Sequence, residues 1–194
     1  MQRTALQIIR QEHSTVSAVL RSLLQMLERG PGEDEPERFF DVLRAMLFYI
    51  DEFPERQHHP KESDLLFPMI ARVAPALMPV IRALEDDHMH GEQRVRELQH
   101  LLLAWELLGD SRRSAFVDAA GDYVAFYLTH MRTEEQELLP AAEKLLNAED
   151  WVQLDAAFAH HADPLADGHR DPIYDRLFTR IVLRAPAPIG VGPA

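Results

Sequence analysis

Two segments of this 194-residue sequence carry the same arrangement of histidine, glutamate and proline. His58 is followed four residues later by Glu62, and His130 is followed four residues later by Glu134. In both copies an apolar pair comes after the glutamate, and a proline stands ten residues after the histidine. Residues i and i+4 of an α-helix lie on one face, about 6 Å apart, so each pair can direct an imidazole and a carboxylate at one point. This spacing indicates a metal site.

Two more histidines fall on the apolar faces of predicted helices. His13 lies in the apolar stripe of the first helix, and His88 lies in that of the third, with Gly91 on the same face. An acidic residue, Glu12 or Asp87, precedes each of them. The offsets between equivalent residues of the two copies are 75, 72 and 72 residues. Two equivalent halves predict two equivalent metal positions.

The apolar periodicity predicts four helices joined by short turns, which makes the chain all-α with an up-down-up-down four-helix bundle. We expect this bundle and its di-metal site to occupy residues 1–147. A C-terminal extension of short helices and a proline- and glycine-rich tail should occupy residues 148–194. The last amphipathic piece, about residues 173–182, has an apolar side that must be covered. It is therefore expected to pack on the bundle or to meet another subunit, as in a homodimer.

Two prolines interrupt the second predicted helix beside the first ligand pair. Pro54 and Pro60 each remove a backbone donor and clash with the preceding turn, so a kink or a break is expected there. Such a break could direct His59 to the metal instead of His58. The second copy has a methionine at the position equivalent to His59, which favours His58.

Composition excludes several classes of protein. The sequence has no cysteine, so disulfides, thiolate metal sites and cysteine nucleophiles are excluded. The net charge of −12 argues against a nucleic-acid partner, which requires basic residues to neutralise phosphates. No apolar run approaches the length of a membrane span, and the N-terminus has no secretory signal pattern. We therefore expect a cytoplasmic protein without a membrane or nucleic-acid partner.

The predicted ligand set combines four imidazoles with two carboxylates. A single histidine on an apolar face is usually a hydrogen-bonded core residue. Several ionisable groups buried together, however, are costly unless a charge compensates for them. Nitrogen and oxygen donors without thiolate suit iron, manganese or zinc better than calcium or magnesium. The predicted metal ligands are His13, His58, Glu62, His88, His130 and Glu134.

The other polar residues near these segments are assigned ordinary roles. His90 and His100 lie off the apolar stripe of the third helix and should face solvent. The acidic residues beside the ligand pairs should be surface groups or should support the ligands. Tyrosines in the second and fourth helices are interpreted as core aromatics, with a hydroxyl near the metals as a supporting donor. The C-terminal histidines are weaker candidates for an extra ligand: His160, His161 and His169.

Together, these motifs resemble the hemerythrin-like, or HHE cation-binding, family over about residues 5–146. The matching elements are Glu12-His13, His58-x3-Glu62 before Leu-Phe-Pro, Asp87-His88 with Gly91, and His130-x3-Glu134 before Leu-Leu-Pro. The resemblance implies a four-helix bundle that holds a non-haem di-iron centre with an oxo or hydroxo bridge. Manganese or zinc remains an alternative.

The resemblance also implies a class of function. The invertebrate oxygen carriers of the family use five histidines placed unequally, whereas this sequence predicts four in a symmetric arrangement. The symmetric set is more similar to di-iron proteins linked to repair of iron–sulfur centres under nitrosative and oxidative stress. Those proteins usually carry a cysteine pair, which this sequence lacks.

We therefore expect His13 and His58 to hold one iron, His88 and His130 to hold the other, and Glu62 and Glu134 to bridge them. The expected function is binding of, or reaction with, dioxygen, nitric oxide or peroxide in sensing or stress protection. Whether the centre turns over its ligand as an enzyme is left open. The alternatives are iron storage or donation, repair of iron–sulfur centres, and a structural metal site without a redox role.

Overall fold

The computed structural model of the chain describes residues 4–32, 36–159, 165, 174–187 and 189–191. This described part is helical and contains no β-strand, which confirms the all-α prediction. No described helix combines the length and the apolar character that a membrane crossing requires. The three C-terminal histidines considered above lie outside the described residues.

Helix α1 spans Thr4–Arg29 and buries the predicted stripe, with His13 between Ile9 and Val16. The helix ends at Gly30, whose φ of +70° is the left-handed conformation that glycine adopts without a steric cost. The amide N–H of Gly30 donates a 3.1 Å hydrogen bond to the carbonyl of Met26, which closes the last turn. The inward face of α1 therefore carries two buried polar side chains, Glu12 and His13, in an otherwise apolar stripe.

The second helical segment is continuous from residue 36 to residue 73. It begins as α2 (Pro36–Ile50), continues as a π-helix (Asp51–His58), and returns to α-helix at α3 (His59–Lys61). A second π-helix (Glu62–Leu66) and α4 (Phe67–Val73) complete it. Of the kink or break expected near Pro54 and Pro60, the break does not occur, because the chain widens its helical turns there instead of leaving the helix.

The prolines explain where the turns widen. A proline in a regular α-helix lacks its N–H and crowds the carbonyl four residues earlier. In a π-helix the hydrogen bonds run to the residue five positions earlier, as from the N–H of His59 to the carbonyl of Pro54. The N–H of Phe67 likewise bonds to the carbonyl of Glu62, one residue before Pro68. The wide turns thus keep the ligand segment helical despite its prolines.

The second half of the chain repeats this design. A 3-10 turn (Pro75–Leu77) leads into α5 (Met78–Leu108), and another (Asp110–Arg112) leads into α6 (Arg113–Thr133). The helix continues through a π-helix (Glu134–Leu138) into α7 (Leu139–Leu145). The two π-helices that start at a ligand glutamate are 72 residues apart, as the sequence repeat predicts. The structural repeat therefore includes the widened turn.

The remaining described helices belong to the C-terminal region. They are α8 (Ala148–Ala159), α9 (Asp175–Phe178) and a π-helical turn (Thr179–Leu183). Helix α8 packs on α1, and the π-helical turn packs on α2. Leu177 and Ile181 are buried in the same apolar cluster as α2. The described part of the last amphipathic piece therefore lies against the helices that precede it.

Helix α1 packs on α2 and α6, and α5 packs on the same two helices. Their inward faces form two separate apolar clusters. One contains Leu23, Leu43 and Trp105, and the other contains Ile9 and Phe67. The predicted ligands lie between these clusters along each helix, since His13 falls between Ile9 and Val16, which belong to different clusters. A polar layer therefore crosses an apolar interior.

Candidate metal centre

The structure brings all six predicted ligand residues together. Their donor atoms form two groups, within each of which all donors lie within 4.8 Å of one another. Glu62 belongs to both groups, and one residue that was not among the six, His59, belongs to the second. The first group contains His13, His58, Glu62 and Glu134, and the second contains His59, Glu62, His88 and His130.

The histidines of the first position come from α1 and the second helical segment, and Glu134 reaches it from the π-helix that follows α6. The Nε2 atoms of His13 and His58 are 3.2 Å apart. Nε2 of His13 lies 3.2 Å from Oε2 of Glu134, and Nε2 of His58 lies 3.2 Å from Oε1 of Glu62. These two imidazoles and two carboxylate oxygens therefore converge on one point.

The second position is built by α5 and α6. The Nε2 atoms of His88 and His130 are 3.1 Å apart. Nε2 of His130 lies 3.2 Å from Oε1 of Glu134, and Nε2 of His88 lies 3.6 Å from Oε2 of Glu62. Each glutamate thus turns one oxygen to the first pair of histidines and its other oxygen to the second pair. That is the arrangement of a bridging carboxylate.

The donor spacing fits metal ions. Ligands at right angles around an ion about 2.1 Å away are separated by about 3 Å, close to the spacing of these nitrogens and oxygens. None of the four carboxylate oxygens of Glu62 and Glu134 accepts a hydrogen bond, although all four are buried. Buried carboxylate oxygens without a hydrogen bond are unfavourable unless a positive charge lies beside them. Bound cations would satisfy these oxygens, and the residues present therefore fit a pair of metal ions.

A second set of residues holds the opposite edge of each imidazole. Nδ1 of His58 lies 2.6 Å from Glu12, and Nδ1 of His130 lies 3.3 Å from Asp87. Nδ1 of His13 lies 3.1 Å from Oε1 of Glu135, and Nδ1 of His88 lies 2.8 Å from Oγ of Ser63. When Nδ1–H donates outward, Nε2 keeps its lone pair for a metal and the ring orientation is fixed.

These supporting residues follow the sequence repeat. Glu12 and Asp87 are the acidic residues that precede the lone histidines, and each holds the histidine of the neighbouring helix instead of its own neighbour in sequence. Ser63 and Glu135 each follow a ligand glutamate. The sequence therefore contained a signal for these residues, but their partners depend on how the helices pack.

The charges in the centre shift the protonation of the metal-free protein. Burial opposes a charged imidazole, but the carboxylates of Glu62 and Glu12 raise the pKa of His58 well above its usual value. In the same way, against the effect of burial, Glu134 and Asp87 raise the pKa of His130 to about 10. The facing imidazoles, chiefly His130, hold the pKa of Glu134 well below its usual range although burial acts to raise it. Protons therefore balance these charges in the metal-free form, and metal binding would displace them.

A buried polar chain lies beside the second position. Tyr127 and His59 are joined at 2.6 Å, His59 and Glu55 at 3.1 Å, and Glu55 and Tyr123 at 3.1 Å. Burial raises the pKa of Glu55 to about 8 and lowers the pKa of His59 well below its usual value. A Cβ atom at Gly91 would lie 2.8 Å from Oε1 of Glu55. The glycine seen beside His88 in the sequence thus makes room for this carboxylate.

The question of His58 or His59 is answered by geometry that the sequence does not contain. Both rings are buried, and they face different positions: His58 groups with His13, and His59 groups with His88 and His130. The sequence pattern left them as alternatives for one place. Glu55 stands four residues before His59, the spacing of the predicted ligand pairs in reverse order, and this signal for the polar chain was not used. Tyr123 and Tyr127 reach the chain only through helix packing.

The remaining predictions for polar residues agree with the structure. His90 and His100 are exposed, and so are Asp64 and Glu137. Glu135 is 43% exposed and supports His13, which is the other role expected for the acidic neighbours. Tyr49, Tyr123 and Tyr127 are buried.

The helix that follows the repeat closes one side of the centre. The ring of Phe158 in α8 meets the ring of His58 edge-on, with centroids 6.2 Å apart. Nζ of Lys61 lies 5.1 Å from the centroid of Phe158. This end of the centre is therefore covered by apolar surface from the C-terminal region.

Comparison with protein families gives a match to the model described as Hemerythrin HHE cation binding domain, which covers residues 4–142. The matched region contains all six predicted ligands and ends before α8. Comparison with curated proteins gives no match.

Proposed function

The chain belongs to the hemerythrin HHE cation binding domain family, and on that basis we propose that it is a non-haem di-iron protein. In this proposal His13 and His58 hold one iron, His88 and His130 hold the other, and Glu62 and Glu134 bridge them. The single observation that carries the proposal is the division of each buried glutamate between the two histidine pairs.

The number of donors supports a reactive centre. Each ion would have two nitrogen and two oxygen donors from the protein, so a six-coordinate ion keeps positions open. Iron held in this way would supply redox chemistry toward dioxygen, nitric oxide or peroxide. The protein residues orient the donors through their Nδ1 contacts and exclude water through the two apolar clusters. We therefore propose that the protein binds or reacts with such a small molecule in sensing or stress protection.

The proposal includes the finer architecture. We infer that α1, the second segment, α5 and α6 form an up-down-up-down four-helix bundle, since each of α1 and α5 packs on both α2 and α6. Residues 1–147 would form this bundle, and residues 148–194 would form an extension that covers it. The contact between Phe158 and His58 supports that role for α8.

The test is the metal content per chain of protein purified without added metal, read with its near-ultraviolet and visible spectrum before and after reduction and exposure to air. We expect about two irons per chain and a spectrum that changes on reduction, as two bridged positions require. His130→Ala should keep about one ion, because it removes a donor of the second position alone. The matched control is His100→Ala, an exposed histidine on α5, which should keep both.

Other outcomes would assign the centre differently. Zinc alone would favour a structural metal site, because a closed four-ligand site suits zinc. Two irons that leave readily on reduction would favour storage or donation, including donation in repair of iron–sulfur centres. Absence of metal from the wild-type protein, or retention of both ions by His130→Ala, would contradict the proposal.

A further inference from the structure

His59 is built into the centre like a ligand. Its Nδ1 lies 3.1 Å from Oε2 of Glu55, as the Nδ1 atoms of the other four buried imidazoles each face a carboxylate or a hydroxyl. Donation of Nδ1–H to Glu55 leaves the lone pair on Nε2. A ring nitrogen of His59 lies within 4.8 Å of donor atoms of Glu62, His88 and His130.

One contact separates His59 from the other four histidines. Its Nε2 is 2.6 Å from the hydroxyl of Tyr127, so the lone pair that a metal would use accepts a hydrogen bond instead. The Nε2 atoms of the other four histidines face one another and the two glutamates. The hydroxyl of Tyr127 therefore competes with any metal at the second position.

The positions of the two rings restrict this competition to the second metal position. The rings of His59 and His88 are stacked, with centroids 3.9 Å apart and planes 11° apart. The ring of Tyr127 lies 5.8 Å from that of His130. The residue equivalent to His59 in the second copy of the repeat is Met131, which has no imidazole to offer. Only one of the two proposed metal positions therefore has a fifth histidine within reach in the described part of the chain.

We propose that His59 is an exchangeable ligand of the second metal position and that Tyr127 controls its use. This inference rests on the proposed di-metal function. In one state the O–H of Tyr127 donates to Nε2 of His59, and a coordination position stays open. In the other state the Nε2 lone pair leaves that hydrogen bond and binds the metal, while Tyr127 keeps its proton. The exchange closes the position to a small molecule without loss of either residue from the core.

Glu55 and Gly91 make the exchange feasible. The carboxylate of Glu55 also accepts a 3.1 Å hydrogen bond from the hydroxyl of Tyr123, so it remains anchored when the ring of His59 shifts. Its place depends on Gly91, where a Cβ atom would lie 2.8 Å from Oε1. The anchored Nδ1 contact acts as a pivot, and Nε2 at the opposite edge of the ring is the atom that changes partner.

The test follows the rate at which a chelator removes the two ions from the metal-loaded full chain, together with the visible spectrum. Tyr127→Phe removes the competing hydroxyl and keeps the ring, so His59 should bind the second ion. We expect loss of one of the two ions to slow on the order of 10-fold, with a spectral change. The matched control is Tyr49→Phe, which alters a buried tyrosine of α2 outside this polar chain and should not slow metal loss.

The comparison that decides the proposal is Tyr127→Phe in a His59→Ala background. The slowing should disappear there, because the donor that Tyr127→Phe releases is absent. Equal slowing with and without His59, or no slowing in either background, would overturn the proposal. So would loss of one whole ion from His59→Ala, because that result would make His59 a permanent ligand like His130. Failure of the di-metal function itself would appear separately, as a wild-type protein without two ions.

Discussion

The two proposed metal positions use the same kinds of residue, but the supports behind their histidines differ. His13 and His58 are each supported by a carboxylate, and Glu12, at 2.6 Å from His58, is 3% exposed. His130 is supported by Asp87 at 3.3 Å, a side chain that is 34% exposed. His88 is supported by the hydroxyl of Ser63. The first position therefore has a carboxylate behind both of its histidines, whereas the second has a carboxylate behind only one.

This difference comes from small departures from the sequence repeat. Ser63 occupies the place of Glu135, and His59 occupies the place of Met131. The ligands themselves follow the repeat in both halves. Exchange of a ligand is easier where support is weaker, so we expect the second position to be the one that meets the small molecule.

The largest effect on metal content is expected from the loss of Glu62, which would link the two positions. Glu62 turns one oxygen to His58 and the other to His88, so Glu62→Ala should lower the occupancy of both ions. His13→Ala should lower that of the first ion alone. Metal content per chain measures both variants. Loss of only one ion from Glu62→Ala would show that the carboxylate does not bridge.

The next largest effect is expected from the loss of Glu12 or Asp87, the carboxylates that contact His58 and His130. Glu12→Ala should weaken the first position by about 10- to 100-fold in metal affinity, the usual effect of removing a carboxylate that orients a ligand histidine. Asp87→Ala should weaken the second position less, because its contact with His130 is longer and more exposed. Competition with a chelator gives both affinities. A larger loss from Asp87→Ala would reverse the proposed order of the two positions.

Beside the second position, Glu55 should make the stability of the metal-free protein depend on pH. Burial raises the pKa of Glu55 from its ordinary value of 4.5 to about 8, so the folded protein holds a proton that the unfolded chain releases between these values. The unfolding free energy of the metal-free protein should therefore fall as pH rises from 4.5 to 8, by up to a few kcal/mol from this residue.

Glu55→Gln has no such titration, so its unfolding free energy should gain on that of the wild-type protein as pH rises through this window. Urea unfolding of both metal-free proteins at pH 5 and pH 8.5 measures the difference. Parallel changes in the two proteins would mean that Glu55 keeps an ordinary pKa in the folded state.

The smallest effect is the change in stability expected when alanine replaces either of two helical glycines, Gly91 or Gly121. Gly91→Ala would place a Cβ atom 2.8 Å from Oε1 of Glu55, and the displaced carboxylate should cost about 1–3 kcal/mol, typical of overpacking a core. Gly121, in α6, has no atom within 4 Å of the same position, so Gly121→Ala should instead stabilise the helix by up to about 1 kcal/mol. Thermal unfolding reports both signs. Stabilisation by both substitutions would show that Glu55 can move freely.

The sequence predicted much of the centre because its signals are local. A glutamate four positions after a histidine places both side chains on one face of a helix, whatever packs against that helix. The repeat also paired His13 with His88, and the sequence placed Gly91 on the same face as His88. Of the kink or break expected at Pro54 and Pro60, the break is absent because a proline excludes a regular α-helical turn but tolerates a wider one.

Spacing along single helices therefore determined the helical fold and the set of candidate donors. Only the tertiary structure decided which acidic residue supports which histidine, that His58 and His59 face different positions, and that Tyr127 reaches His59. The contacts between different helices that support the candidate ligands join residues 25 to 122 positions apart. Their distances depend on how the helices are rotated and packed against one another, which no local pattern in the sequence specifies.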